Sequence, residues 1–393
     1  MGMIQGIRNV YRLAKQLGQM PRASFDGAST TGRSMKNWSA PQTGPNVGIL
    51  NHSTLVNRSR DLVRNEPWGR AMQERKVTNI VGTGIKPRSM APDRESREAI
   101  QNLWNRYVAE SDYDGVLSFY GQQELVAREW DEAGECFVRK RIMRLTDDVV
   151  VPLKLQLIEA EQVPVTNNIL TSNGNVVRAG LEFGPDNRRT AYHMYRGHPG
   201  EMTLSMVNAG EMIRVPADEI IHVYQPLRAG QLRGLPTITP VLQKLYQVTQ
   251  FDDATLMRQW VATLFVGWIK SPSSNSNSNN KINPLTGQAG EKDADDFDLA
   301  DVESGTVQQL PPGWEQGWNQ PPEAGNSYET FMRQQLMASA AAVGMSYEIL
   351  TGDMRGINDR LLRALLQEFR RRIRMAQHHI IAHQLCRDVW KTW

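Results

Sequence analysis

The chain has 393 residues, of which 40% are hydrophobic and 22% charged, with a formal net charge of +3. These values exclude a disordered chain and a strongly basic nucleic-acid coat, and the length suffices for two or three structural modules. The two cysteines, Cys136 and Cys386, make no disulfide framework and no CxxC metal knuckle. Buried thiols in a reducing cytoplasm are the expected reading.

The first twenty residues place Ile4, Ile7, Val10, Ala14 and Leu17 at helical spacing, with Arg8, Arg12 and Lys15 between them. This predicts an amphipathic helix packed on its own protein; a membrane surface or a partner is the alternative seat. It is not the continuous apolar run of a secretory signal. Residues 23–53 are rich in Ser, Thr, Gly, Asn and Pro and predict an extended arm of the kind that wraps a neighbouring subunit.

From Leu55 the pattern is helical, divided in two by Pro67 and Trp68, and "GTGIKP" closes the second helix. Those glycines lack GxxxxGK[ST], so they read as a cap and turn rather than a phosphate loop. Residues 94–133 again read as helical. After Gly134 come "ECFVRKRIM", "LKLQLIEA", "VVRAGLEF", "TAYHMYR" and "EIIHVYQ", with Asn173-Gly174 as a hairpin turn. Residues 135–224 are therefore predicted to be a mostly antiparallel β module.

Thr239 as cap and Pro240 at the first helical position open a long helix carrying Val241, Leu245, Val248, Met257, Trp260, Val261, Leu264 and Trp268. Unbroken from Pro240 to Trp268 it would be about 43 Å long, long enough to cross a structure rather than pack as one more core helix. Its apolar end, "WVATLFVGWI", is about half of what a bilayer span needs. A polar run "SPSSNSNSNNK", an acidic stretch with Asp293, Asp295, Asp296, Asp298 and Asp301, a strand-like "TVQQL" and a Pro/Gly-rich tail follow. They read as a small irregular insert between two helices.

Asn326 and Glu329 read as a capping pair for a helix through Tyr328, Phe331, Leu336 and "ASAAAV", ended by Gly344. A Gly-marked loop of mixed charge leads to Asn358, the expected cap of a last helix. That helix carries Leu362, Leu365, Phe369, Ile373, Ala376 and Ile380 on one stripe, and Arg360, Arg363, Arg370, Arg371, Arg372 and Arg374 over much of the rest. The pattern still runs at "DVWKTW", the expectation for a C-terminal segment that is truncated or missing.

No catalytic constellation stands out. His379 and His383, at i and i+4 on one helical face, could pair on zinc, but Ile380 stands where HExxH needs glutamate, so no metal is expected. His222, alternating with apolar neighbours, reads as a satisfied structural histidine. The acidic run lacks the spacing of a Ca²⁺ loop and suits a solvated face or a pore lining. The run 370–374 suits an exposed helix face, with phosphate contact as the alternative. A nuclease or protease lacks its carboxylate cluster or nucleophile–base pair here. A monomeric nucleic-acid adaptor predicts a more basic chain, and a membrane scaffold rests on the N-terminal helix alone.

Five blocks, in order, resemble the lambda-type portal proteins of tailed bacteriophages. They are "RSRDLVRNEPWGRAMQERKVTNIVGTGIKP", "EWDEAGECFVR", "LQLIEAEQV", "EIIHVYQPLRAGQLRGLPTITPVL" and "GMSYEILTGDMRGINDRLLRALLQEFRR". The resemblance covers residues 50–385, and it departs from the family's pattern at Asn358-Asp359-Arg360-Leu361, where an aromatic and small hydroxyl residues are usual. It implies an α+β portal fold: N-terminal helix and arm (1–53), β-containing wing (54–236), stem helix (237–269), small α/β clip (270–325), second stem helix (326–343), tunnel loop (344–358) and C-terminal helix (359–393), with the crown region absent or truncated.

The resemblance further implies a ring, usually of twelve subunits, at one capsid vertex of the virion, assembled in the host cytoplasm. Double-stranded DNA enters and leaves through its axis. The implied partners are the large terminase subunit, head-completion or adaptor proteins, and major capsid and scaffold proteins; no cofactor is implied. The channel-facing candidates are Glu348, Thr351, Asp353, Met354, Arg355, Ile357 and Asn358 on the loop and Gln243, Lys244, Gln247 and Arg333 on the stem, with the five aspartates as an acidic clip face. The alternative is another non-enzymatic nucleic-acid-binding assembly scaffold of a virus-like particle.

Overall fold

The computed structural model describes residues 41–144, 151–201, 211–264, 267–270, 315–318 and 326–393. The predicted N-terminal helix, most of the arm, "TVQQL" and the acidic run lie outside them. Contacts divide the chain between Val47 and Gly48, and the helices and sheets lie in the second unit, Gly48 to Trp393.

His52–Asn65 (α1) and Pro67–Val81 (α2) meet at Glu66, whose φ/ψ of −106°/120° is the extended conformation forced on a residue before proline. Pro67 then takes the first helical position, where a missing N–H costs nothing. α1 starts ahead of Leu55, inside the stretch expected to be arm, because His52 and Val56 are already buried there. Gly82 (φ 55°) and Gly84 (φ 100°) end α2, which bears out the cap-and-turn reading. The helical stretch 94–133 is two helices, Arg94–Glu110 (α3) and Phe119–Ala133 (α4). Between them Asp112 accepts hydrogen bonds from the N–H groups of Val116 and Leu117, both at 2.8 Å, and turns the chain.

The described strands of the β module pair antiparallel with one another, as expected, but form two sheets. Glu135–Ile142 (β1) lies between Leu153–Ile158 (β2) and Ile220–Tyr224 (β7). Val176–Arg178 (β3), Leu181–Phe183 (β4), Arg189–Tyr195 (β5) and Met212–Pro216 (β6) form the second sheet in chain order. Phe137 and Ile220 of the first pack with Leu181, Tyr192, Met194 and Val215 of the second. The Asn173-Gly174 turn is present: Gly174, at φ 79°, donates to Thr171 O at 3.0 Å.

Three of the five resemblance blocks meet at one buried point. Glu135, fully buried, accepts from Arg233 Nε at 2.7 Å and from the Gly234 N–H at 2.8 Å, with His222 Nε2 at 2.9 Å and His52 Nε2 at 3.3 Å. Arg233 also donates to the carbonyls of Ala160, Val163 and Ala179. Beside it, buried Lys76 bonds Asp131 and Thr237. So α1, β1, the turn after β2 and the segment after β7 share one buried polar network around Glu135, while Lys76, Asp131 and Thr237 tie α2 and α4 to the segment after β7.

His222 donates from Nε2 to Glu135 and accepts at Nδ1 from Arg189 at 3.3 Å, which suits a neutral ring and bears out its reading as a structural histidine. Burial pushes its pKa from 6.5 down to about 4, Glu135 opposing and Arg189 and Arg233 assisting. The unfolded chain binds this proton near its ordinary value and the folded chain only near pH 4. The stability tied to it is therefore fully present above pH 6.5 and falls by up to about 3 kcal/mol towards pH 4. Against the cost of burial, Arg233, His222 and His52 hold the Glu135 carboxyl well below 4.5, so acid removes stability there too. Urea unfolding followed from about pH 7.5 down to about 4.5 should show this fall, and His222→Gln should flatten it. An equal slope in both proteins would contradict the assignment.

After a 3-10 turn, Thr239–Val241, comes Leu242–Leu264 (α5). Thr239 does not cap it, because its hydroxyl donates to Pro236 O at 2.7 Å. Nor does the helix run unbroken to Trp268. It ends at Leu264 after about 35 Å at 1.5 Å per residue, and Gly267–Lys270 (β8) pairs antiparallel with Glu315–Trp318 (β9). Glycine is a poor helix former and Trp268-Ile269 favour a strand. Asn326–Ala342 (α6) returns antiparallel to α5, with Phe251 4.8 Å from Phe331 and 6.1 Å from Tyr328 between ring centroids. Gly344, at φ 83°, ends α6 as expected.

Asn358 caps Asp359–Ala376 (α8), accepting from the Leu361 N–H at 2.9 Å. Helical structure then continues as a π-helical stretch, Gln377–Cys386, into Arg387–Thr392 (α9). Phe369, Ile373 and Ile380 of the predicted stripe are buried. Trp390 and Trp393 pack on Trp104 of α3 at 4.9 and 5.1 Å and fasten this end to the body. Among the described residues no helix is long and apolar enough to cross a membrane.

Candidate channel-facing site

The segment between α6 and α8 is not all loop. Ser346 accepts from the Ile349 N–H and caps a short helix, Tyr347–Thr351 (α7), which buries Tyr347 and Leu350. Gly352, at φ 75°, closes it. The sequence hid this helix because its five residues are too few for a period; the Ser346 cap was the available signal.

The exposed tip that remains holds Met354, Arg355 and Gly356, with Ile357 half-buried and Asn358 exposed but engaged as a cap. Arg355 grips Asp353 with both fork positions, Nε and Nη2, each at 2.9 Å from a carboxylate oxygen, and reaches Glu329 of α6 at 2.8 Å. These bonds hold the Asp353 carboxyl well below the usual carboxylate range. Arg333 of α6 lies 5.1 Å from the Tyr347 ring centroid, a cation–π contact. Tip and hairpin are thus tied by charge: Arg355 has two acidic partners and is not an isolated cation. Glu329, read as a capping residue, serves as one of those partners.

The other candidates are spread along the elements. Glu348 and Thr351 are half-buried on α7, and Thr351 donates to Tyr347 O at 2.9 Å. On α5, Gln243 and Gln247 are exposed and Lys244 is half-buried. Asp293, Asp295, Asp296, Asp298 and Asp301 lie outside the described residues.

The structure separates His379 from His383. His379 lines a cleft with Lys76, Trp130 and Arg372, whereas His383 lines another with Arg189 and Arg387. The cause is the π-helical stretch, whose i→i+5 bonding widens the turn so that i and i+4 no longer share a face. Among the described residues one donor cluster has metal-like spacing, Glu159, Glu161 and His198. Arg60 already occupies it, reaching Glu161 at 3.0 Å, Glu159 at 3.3 Å and Glu129 at 3.0 Å. In the arginine run, Arg370, Arg371, Arg372 and Arg374 are exposed.

The sequence pattern of the family described as phage portal protein, lambda family, matches residues 31–377. The chain belongs to the lambda family of phage portal proteins. It is 25% identical over 391 residues to a probable portal protein of Halomonas phage phiHAP-1, covering 93% of this chain and 72% of that one. It is 23% identical to the portal protein of Escherichia phage N15 (83% of this chain, 66% of the relative) and 22% identical to portal protein B of Escherichia phage lambda (83% and 65%). The chain thus spans about two thirds of the length of these portal proteins. Solved structures similar to it include the neck of an empty GTA particle computed with C6 symmetry, at TM-score 0.44 and 15% identity, covering 84% of this chain and 79% of that one. Another is the neck of a native GTA particle computed with C12 symmetry, at TM-score 0.44 and 14% identity, covering 87% and 81%.

Sequence reading missed the Glu135–Arg233 network of this portal protein. Both residues sit inside blocks of the resemblance, at "EAGECFVR" and "QLRGLPT", and nothing local in either block marks them as partners.

Proposed function

We propose that the chain is one subunit of a portal ring at a capsid vertex, through which double-stranded DNA passes during packaging and ejection. The family match over residues 31–377 carries this reading. Two features of the structure support it. The α5–α6 hairpin exposes large apolar side chains (Tyr246, Leu256 and Met257 on α5, Phe331 and Met337 on α6), more than a solitary hairpin tolerates and fitting for subunit packing. The tip at Arg355 is compact and neutralised by its own carboxylates.

In this reading α5 and α6 are the stem, the insert holding β8 and β9 the clip, the β-rich body and N-terminal helices the wing, and residues 344–358 the tunnel loop. DNA has to slide in either direction, so the loop has to touch without holding. Each phosphate bound by a free cation would add affinity and slow the duplex. An arginine committed to Asp353 and Glu329 avoids that, and an acidic clip lining would repel phosphate further. The clip is where terminase and then head-completion proteins would dock, with capsid and scaffold proteins around the wing, in a virion component assembled in the host cytoplasm. Its role is structural rather than catalytic.

Arg355→Ala releases the tip from α6 and leaves Asp353 and Glu329 unpaired. Phage carrying it should yield several-fold fewer filled heads, measured as nuclease-protected DNA, and Arg355→Lys should fall between. Unchanged length and yield of protected DNA would remove Arg355 from the channel.

A further inference from the structure

A cleft of about 420 Å³ lies between β5, β7 and the π-helical stretch, lined by Arg189, Tyr192, His222, His383, Arg387 and Lys391 among others. Half-buried Arg189 sits at its inner wall. Its guanidinium donates to Tyr224 Oη at 2.7 Å and Tyr192 Oη at 3.4 Å and lies 3.3 Å from His222 Nδ1. All three partners are neutral. Among the described residues no carboxylate reaches this guanidinium, and an arginine withdrawn from water without an acid is uncommon. Five N–H donors serve three acceptors, which leaves Nε and one Nη2 hydrogen for a ligand.

The cleft's charge is unbalanced in the same sense. Arg387 and Lys391 line it and are exposed, and the nearest partner of Arg387 is His383 Nδ1 at 3.4 Å. The acid in the lining, Asp388, is engaged by Lys140 at 2.9 Å. The walls are firmly held. His222 is stacked between Phe137 and Tyr224, at 4.4 and 4.3 Å. Gln384 accepts from the Tyr224 N–H and donates to its carbonyl, both at 3.0 Å, and so pins the π-helical stretch to the edge of β7. π-helical turns are rare and concentrate at functional sites.

We propose that this cleft is a binding site for a phosphate group. Arg189 offers a planar fork from a fixed position, and Arg387 and Lys391 supply charge at the rim, the combination that selects a phosphate oxyanion over a chloride. The same chemistry is presented by free inorganic phosphate and by the phosphodiester backbone of DNA.

Calorimetric titration of the purified full chain with inorganic phosphate, against a chloride control of equal ionic strength, tests it. Saturable binding is expected. It should weaken about tenfold or more in Arg387→Gln/Lys391→Gln, which changes only exposed side chains, and in Arg189→Lys, which keeps the charge and loses the fork. Absence of saturable binding, or equal affinity in the wild type and both variants, would overturn the proposal. A labelled short duplex separates the sources. If its affinity falls in the same variants and phosphate competes with it, the site takes the DNA backbone. If it is unchanged while phosphate binding falls, the site takes free phosphate.

Discussion

Glu135→Ala is expected to cost about 3–5 kcal/mol of folding free energy, the penalty for leaving a buried charge without its partner. The substitution strands the Arg233 guanidinium, which is fully buried, and removes the acceptor of the Gly234 N–H and the partner of His222. Arg233→Met should be no milder. It removes the buried cation, but it takes the guanidinium donor from the carbonyls of Val163 and Ala179 and leaves the Glu135 carboxylate without its counter-charge. Urea unfolding of the two single variants and the double variant measures this. The double variant should lie well above the sum of the singles in stability, because each single breaks the same pair. A loss of less than about 1 kcal/mol in Glu135→Ala would mean that the network is not what joins these elements.

Gly234→Ala is expected to prevent folding, or to cost more than about 4 kcal/mol. A Cβ at this position would lie 2.0 Å from the carbonyl oxygen of Gly134 and 2.6 Å from its carbon. Those are backbone atoms at the start of β1 and cannot swing away. Gly134 faces the same constraint from the other side, since its Cβ would lie 2.1 Å from the Leu235 carbonyl carbon, and its φ of 88° disfavours any side chain as well. Gly356→Ala is the contrasting case. Its φ of 76° carries strain of about 1–2 kcal/mol, but nothing lies within 4 Å. Soluble yield and melting temperature of the two variants should therefore diverge. Equal melting temperatures would show that the two segments do not approach as closely as described.

The helices and sheets were largely legible because local rules wrote them. Glu66-Pro67 marks a helix boundary through proline's effect on the residue before it, and Asn358 announces α8 through its cap. Gly174 and Gly344 mark a turn and a helix end by needing positive φ. What stayed hidden depends on partners distant in sequence. The end of α5 at Leu264 is decided by the pairing of β8 with β9, and no periodicity in "WVATLFVGWI" records that partner. The commitment of Arg355 to Glu329 joins residues on two elements, one of them a helix end where glutamate has an ordinary reading. The separation of His379 from His383 follows from a π-helical register that a 3.6-residue wheel cannot show. Arg233 looks like one more surface arginine until the fold buries it against Glu135.

A portal subunit has to close with its copies into a ring around an axial hole. Electron-microscope imaging of the purified full chain, with a mass measurement of the same particles, shows whether it does. The prediction is rings with an open axis and a mass at an integral multiple of the chain's own, about twelve. A compact dimer or tetramer with no hole would contradict it.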